Sequence, residues 1–193
     1  MGMISRLIRS VMLVSLVIFL SACSFVQLVS TYDDVIDAQA QRLQKKLDTH
    51  LTILQLADDD QLKFSSNRAF YTEALNDLNA MTVRASAIYE NKLTVEQVRL
   101  IKINLAYLVL LNKKCVTQKL TDTQITKINV SGVDLSMDCN VEKGATLNGT
   151  ERGEQKINRL LIPGIQDQFN YQLGYIMALE LAKKRGEGEG SSK

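Results

Sequence analysis

Four long stretches of the chain repeat their apolar residues every three or four positions, the period of a helix with one buried face. The first runs from about Thr31 to Leu56, where Ile36, Ala40, Leu43, Leu47, Leu51 and Leu54 keep that spacing. Thr31 with Asp34 three residues on reads as a capping box, and Asp33 and Asp34 suit a positive helix start. Ala57-Asp58-Asp59-Asp60 ends the pattern. The second stretch, about Ser66 to Glu90, puts Phe70, Leu78, Met81, Ala85 and Ile88 on one face, with Tyr71 and Leu75 at its edge. The third starts at Thr94, paired with Gln97 as a second capping box, and reaches about Lys114.

The fourth stretch spans about Glu151 to Arg185, with Ile157, Leu161, Ile165, Phe169, Leu173, Ile176 and Leu179 as its core positions. Pro163 lies inside it. An interior proline removes a hydrogen bond and clashes with the preceding turn, so a kink is expected, or a short first piece followed by a long helix from Pro163. Between the third and fourth stretches lie polar residues 118–152, too many for a plain bundle connection. Ile128 and Val130 alternate before Ser131-Gly132, and Val133, Leu135 and Met137 alternate after it, which suggests a small β-hairpin. The final Gly186-Glu-Gly-Glu-Gly-Ser-Ser-Lys193 has no face to bury and reads as a disordered tail. The expected fold is all-α: an up-down-up-down four-helix bundle, residues 31–185, with an insert at 118–152.

Composition narrows the function classes. The chain has 193 residues, of which 46% are hydrophobic and 23% charged, enough apolar material for one domain with a packed core. One histidine excludes sites that need two imidazoles. No GxSxG, Walker A, GxGxxG, HExxH or CxxC occurs, and no catalytic residue is assigned.

The N-terminus is an address. Arg6 and Arg9 precede the apolar run Val11 to Leu20, which at ten residues is short for a permanent span. It ends in Leu20-Ser21-Ala22-Cys23. This order resembles the signal and lipobox of bacterial lipoproteins, over roughly the first 23 residues only. The resemblance implies removal of residues 1–22 and lipidation of Cys23, with residues 23–30 as a short tether. Two or three acyl chains anchor stably, at about 0.8 kcal/mol per buried methylene. Ser24, where an Asp would retain such a protein in the inner membrane, implies the periplasmic face of the outer membrane. The leader holds two of the 23 basic side chains and none of the 21 acidic ones, so 21 of each remain and the formal +2 becomes zero. That balance gives no electrostatic reason to expect nucleic acid.

With Cys23 committed to lipid, Cys115 and Cys139 remain. In an oxidising compartment they are expected to pair, closing a loop of about 25 residues that stabilises by roughly 3–4 kcal/mol and staples the insert to the third helix. The alternative is two free buried thiols.

The third helix is apolar all round. Val98, Ile101, Leu105, Leu108 and Val109 form one stripe; Leu100, Ile103, Tyr107 and Leu110 form a second, roughly opposite. A bundle helix needs one stripe, so something must cover the other: the insert, a protein partner, a second copy or an apolar ligand. The four residues of this second stripe are the candidate binding positions. Lys183, Lys184 and Arg185 are candidates for lipid head groups, because an even number of antiparallel helices returns the chain to the side where the tether begins; the bland reading is a basic turn complementing the helix dipole. Asp33 with Asp37 and Asp58-Asp59-Asp60 read as capping and solvation rather than metal sites, and His50 as a surface or edge residue. No cofactor or metal is expected. The expected role is a non-enzymatic, lipid-anchored module that binds an envelope protein or a second copy. The alternative is a binder of an apolar small molecule within the bundle, beside Tyr107, Tyr171 and Tyr175.

Overall fold

A computed structural model describes residues 30–113, 120, 122–131 and 155–190. Cys23, Cys115, Cys139 and the second half of the expected hairpin lie outside the described residues. Helices α1 (Asp34–Leu56), α2 (Phe64–Ala87), α3 (Lys92–Asn112), α4 (Asp122–Ser131) and α5 (Ile162–Gly190) follow in order, with a 3-10 turn at Arg159–Leu161 before α5. The protein is all-helical among the described residues; the nearest approach to a sheet is one antiparallel bridge between Lys63 and Lys156.

The four long helices pack as a bundle in which sequence neighbours run antiparallel. α1 lies along α5, α2 along α3, and α3 and α1 also touch α5 and α2 respectively. The side-chain bonds fix the directions. Asp33 at the start of α1 meets Glu180 late in α5, whereas Gln55 at the end of α1 meets Gln166. Tyr71 early in α2 meets Asn112 at the end of α3.

α1 buries Ile36, Ala40, Leu43, Leu47, Leu51 and Leu54, the six positions its period marks. A fully buried leucine contributes about 1.5–3 kcal/mol relative to an exposed one, so this stripe is a main source of bundle stability. The N-cap is Asp33, not Thr31: its Oδ1 accepts from the Ile36 N–H at 2.9 Å. Asp sits three residues before that free N–H, the reach the cap geometry requires, whereas Thr31 lies a further two residues out.

α2 buries Leu78, Met81 and Ala85 as expected, but near its start the inward position is Tyr71 rather than Phe70. Tyr71 is fully buried with Asn67, Ala74, Leu78, Met81 and Ala85, while Phe70 and Ile88 are only half-buried. The shift is accommodated because the Tyr71 hydroxyl has a partner, donating to Asn112 Oδ1 at 3.2 Å, and Asn112 Nδ2 donates to the Leu62 carbonyl at 2.9 Å. α2 stops at Ala87; the turn that follows carries Glu90 at φ 55, a left-handed conformation that costs an L-residue of this kind about 1 kcal/mol or more.

Thr94 does not cap α3. It lies inside the helix, fully buried, with its hydroxyl bonded to Glu180. The expected first strand of the hairpin is instead helical: Ile128 lies within α4, buried at 4%, with Ile125 one turn before it packed on the core. Isoleucines three apart serve a helix as readily as an i, i+2 pair serves a strand, and α4 packs against α3.

The break before α5 falls as Pro163 requires. Asn158 caps the 3-10 turn, and Pro163 stands in the first turn of α5, where the missing N–H has no intrahelical partner to lose. Leu161 is consequently exposed and Ile162 takes the core position. Phe64 N–H donates to the Gln155 carbonyl and Ile157 N–H to the Leu62 carbonyl, clamping this segment to the α1–α2 loop. α5 reaches Gly190, so helix extends into the first part of the segment expected as a disordered tail. Once a helix is nucleated and packed, each added residue contributes a hydrogen bond, and Glu is a good helix former.

Candidate functional site

Two features stand out against this frame: a buried polar clasp at one end of the bundle and an open basic groove on its α1–α2 side.

The clasp joins all four long helices. Glu180 (0% exposed) and Lys183 (6%) occupy core positions of α5. Lys183 Nζ donates to Glu180 Oε1, to Asn91 Oδ1 at 2.7 Å and to Thr94 Oγ1 at 3.0 Å, so all three ammonium donors are used. Glu180 Oε2 accepts from the Asp33 N–H at 3.1 Å and Oε1 from the Thr94 hydroxyl at 3.1 Å. Asn91 Oδ1 also accepts from Ser30 Oγ at 3.0 Å, and its Nδ2 donates to the Ala85 carbonyl at 3.2 Å. Arg84 Nε and Nη2 meet Asp33 Oδ2 at 2.9 and 2.8 Å. Burial would raise the Asp33 carboxyl, but the bonds from Arg84 and the Ile36 N–H outweigh it and hold Asp33 below the usual carboxylate range. Every charge here has a partner, and the arrangement is structural.

Lys183 is therefore no membrane contact: it points into the bundle. The correction has a simple physical cause, because a buried Glu180 one turn earlier must have a counter-charge. Lys184 and Arg185 are exposed as expected, with Lys184 Nζ 5.2 Å from the centre of the Tyr32 ring.

The expected binding stripe on α3 is largely covered. Leu110 is buried at 1%, and Leu100, Ile103 and Tyr107 are half-buried, Ile103 and Tyr107 against the core. Tyr171 is 76% exposed, which removes it from any cavity inside the bundle, and Tyr175 is exposed too.

The groove lies between α1 and α2. Arg42, Lys45, Lys46, Thr49, His50 and Ile53 of α1 and Phe70 of α2 line an open depression of about 420 Å³. It continues past Arg42 and Lys46 into a smaller one of about 160 Å³, bounded by Gln39 and Asp77. The floor is aromatic: His50 stacks on Phe70 with ring centres 3.6 Å apart and planes 9° from parallel. Burial pushes the imidazole below its ordinary value, against a hydrogen bond to Asn67, so it is neutral at pH 7. His50 Nε2 and Gln39 Oε1 are both shielded from solvent and lack a hydrogen-bond partner. Ile53 stands half exposed at one rim.

The rim is basic. Lys46 Nζ pairs with Asp77 at 2.6 Å and Glu73 at 3.7 Å, and the Asp77 bond above all raises its pKa. Arg42 and Lys45 are exposed and make no ion pair among the described residues. Chemically this surface fits an anionic group next to an apolar one. Nothing in it resembles a nucleophile with its base, and no cluster of three or more potential metal ligands occurs among the described residues.

The chain matches no protein-family model, no curated protein and no solved structure. The reading of the groove therefore rests on its own side chains. The residues that form it were visible in the sequence as Arg42, Lys46, Thr49 and Ile53, recurring three and four apart on the side of α1 away from its leucine stripe. What the sequence did not show was that Phe70 lies at the edge of the core, stacked on His50.

Proposed function

We propose that the chain is a lipid-anchored lipoprotein on the periplasmic face of the outer membrane, acting without catalysis as a protein-binding accessory module of the envelope, with the α1–α2 groove as its docking site. The LSAC sequence at Leu20–Cys23 supports the anchor. None of the described helices is long and apolar enough to cross a membrane. The Cys115–Cys139 link belongs to the same reading, since it requires the oxidising compartment.

The observation that carries the docking site is the pair of exposed cations, Arg42 and Lys45, which make no ion pair among the described residues, beside an exposed Ile53 and the His50–Phe70 stack. An acidic side chain next to an apolar one on a partner segment satisfies both halves: charge steers the encounter and the apolar contact holds it.

The test places a photo-crosslinking side chain at Thr49 of the full-length protein in cells. A discrete adduct with one envelope protein is expected, its yield falling about tenfold in Arg42→Glu/Lys45→Glu. The same probe at Tyr171 gives no such adduct. An adduct from Thr49 that charge reversal leaves undiminished, or no adduct, overturns the groove assignment. Membrane association that persists unchanged in Cys23→Ser overturns the anchor.

A further inference from the structure

The clasp fixes where the chain enters the bundle, and that end carries apolar side chains that the fold does not use. Ser30 Oγ is bonded to Asn91, the residue just before α3, and Asn91 is in turn bonded to Lys183. The entering chain, the α2–α3 turn and the late turns of α5 thus share one end of the molecule. Tyr89 on that turn is 80% exposed and Leu93 in the first turn of α3 is 62% exposed, flanking the buried Asn91. The turn is held in place: Glu90 adopts φ 55, and Asn91 spends its side chain on Ser30, Lys183 and Ala85. A left-handed non-glycine residue is maintained at a cost, and here the effect is to hold Tyr89 and Leu93 outside the core.

We infer that Tyr89 and Leu93 form a second membrane contact, seated in the head-group layer of the phospholipid bilayer that holds the acyl chains. The inference rests on the lipid-anchor reading above. Ser30 lies seven residue steps after Cys23. Fully extended, they span at most about 25 Å, so this end of the bundle stays within reach of the bilayer surface. Tyrosine favours the interface because its ring is apolar and its hydroxyl stays hydrated. Leucine adds an apolar side chain to bury. Lys92 is paired with Glu90 at 3.1 Å and supplies no net charge, whereas the exposed Lys184 and Arg185 face the same end and add attraction to anionic head groups. The lipid chains then hold the protein to the membrane, and the turn sets its orientation upon it.

The chain contains no Trp, which makes the test direct. The full-length acylated protein is reconstituted in phosphatidylethanolamine–phosphatidylglycerol vesicles as Tyr89→Trp, Leu93→Trp or, as a control at the opposite end, Leu160→Trp, a position 86% exposed. Brominated lipids are expected to quench the indole at positions 89 and 93 and to blue-shift its emission, leaving the control unaffected. If the protein floats with the vesicles but positions 89 and 93 are quenched no more than position 160, the contact is wrong and the anchor stands. If the wild-type protein does not float with the vesicles, the anchor reading fails and takes the contact with it.

Discussion

Lys183 and Asn91, 92 positions apart in sequence, meet at 2.7 Å in the interior of the bundle. The same ammonium neutralises Glu180, whose side chain is fully enclosed. Removing one member of a buried pair leaves an uncompensated charge and costs about 3–5 kcal/mol, whereas replacing both by apolar groups is far milder. Lys183→Met is therefore expected to lower the unfolding free energy by about that amount, and Glu180→Leu/Lys183→Met to recover much of the loss. Urea unfolding of the three proteins measures it. A single variant within about 1 kcal/mol of wild type would contradict the clasp.

At the other end of the molecule the Tyr71 hydroxyl and Asn112 form a smaller buried link. Tyr71→Phe leaves Asn112 Oδ1 without its donor and is expected to cost about 1–3 kcal/mol. Burial raises the phenol well above its ordinary range, so alkaline titration monitored by ultraviolet absorbance is expected to show this tyrosine ionising only with unfolding.

The groove floor should respond to pH. Burial lowers the His50 pKa, so the unfolded chain binds a proton more readily than the folded one. Stability then rises with pH between the folded value and the unfolded one near 6.5, and falls as the solution is acidified through that window. The melting temperature of wild type is expected to drop from about pH 7.5 to pH 5.5 more than that of His50→Phe, which keeps the stack on Phe70 and removes the titration. Parallel curves for the two proteins would rule out a buried neutral imidazole.

Asp33 gives the acid limb. Its carboxyl is held low in the folded state, so its contribution is complete above the unfolded value near 3.9 and is lost as pH falls through the folded one. Asp33→Asn keeps the cap acceptor and removes the charge opposite Arg84. With Arg84 partly exposed, the expected cost at neutral pH is about 1 kcal/mol or less, and the denaturation curve below about pH 4 should be shallower than that of wild type.

The bundle was legible in the sequence wherever core positions are apolar. α1 is the clearest case, each of its six marked residues being buried. The period failed where polar residues occupy core positions. In α5 the interior row runs Phe169, Leu173, Ile176, Glu180 and Lys183, keeping the helical spacing while its chemistry changes. A pattern of apolar residues instead selects Leu179, which is half-buried, and leaves Lys183 among the surface cations. Only the meeting of α1, α3 and α5 supplies the partners that let those charges go inside. Burial of Tyr71 in place of Phe70 near the start of α2 had the same origin: a buried hydroxyl is acceptable once Asn112 is there to receive it. The groove needs Phe70 of α2 stacked on His50 of α1, so its chemistry was out of reach of any single helix read alone.

The amides between α1 and α5 carry a mechanical consequence. Gln44 bonds Asn170 at 2.9 Å, Gln55 bonds Gln166 at 2.6 Å, and Asp48 accepts from both Gln166 and Asn170. Tension arriving through the chain ahead of Ser30 pulls α1 lengthwise against its antiparallel neighbour. These rungs then bear the load together in shear and resist as a set, where a helix peeled from its end would give way one contact at a time.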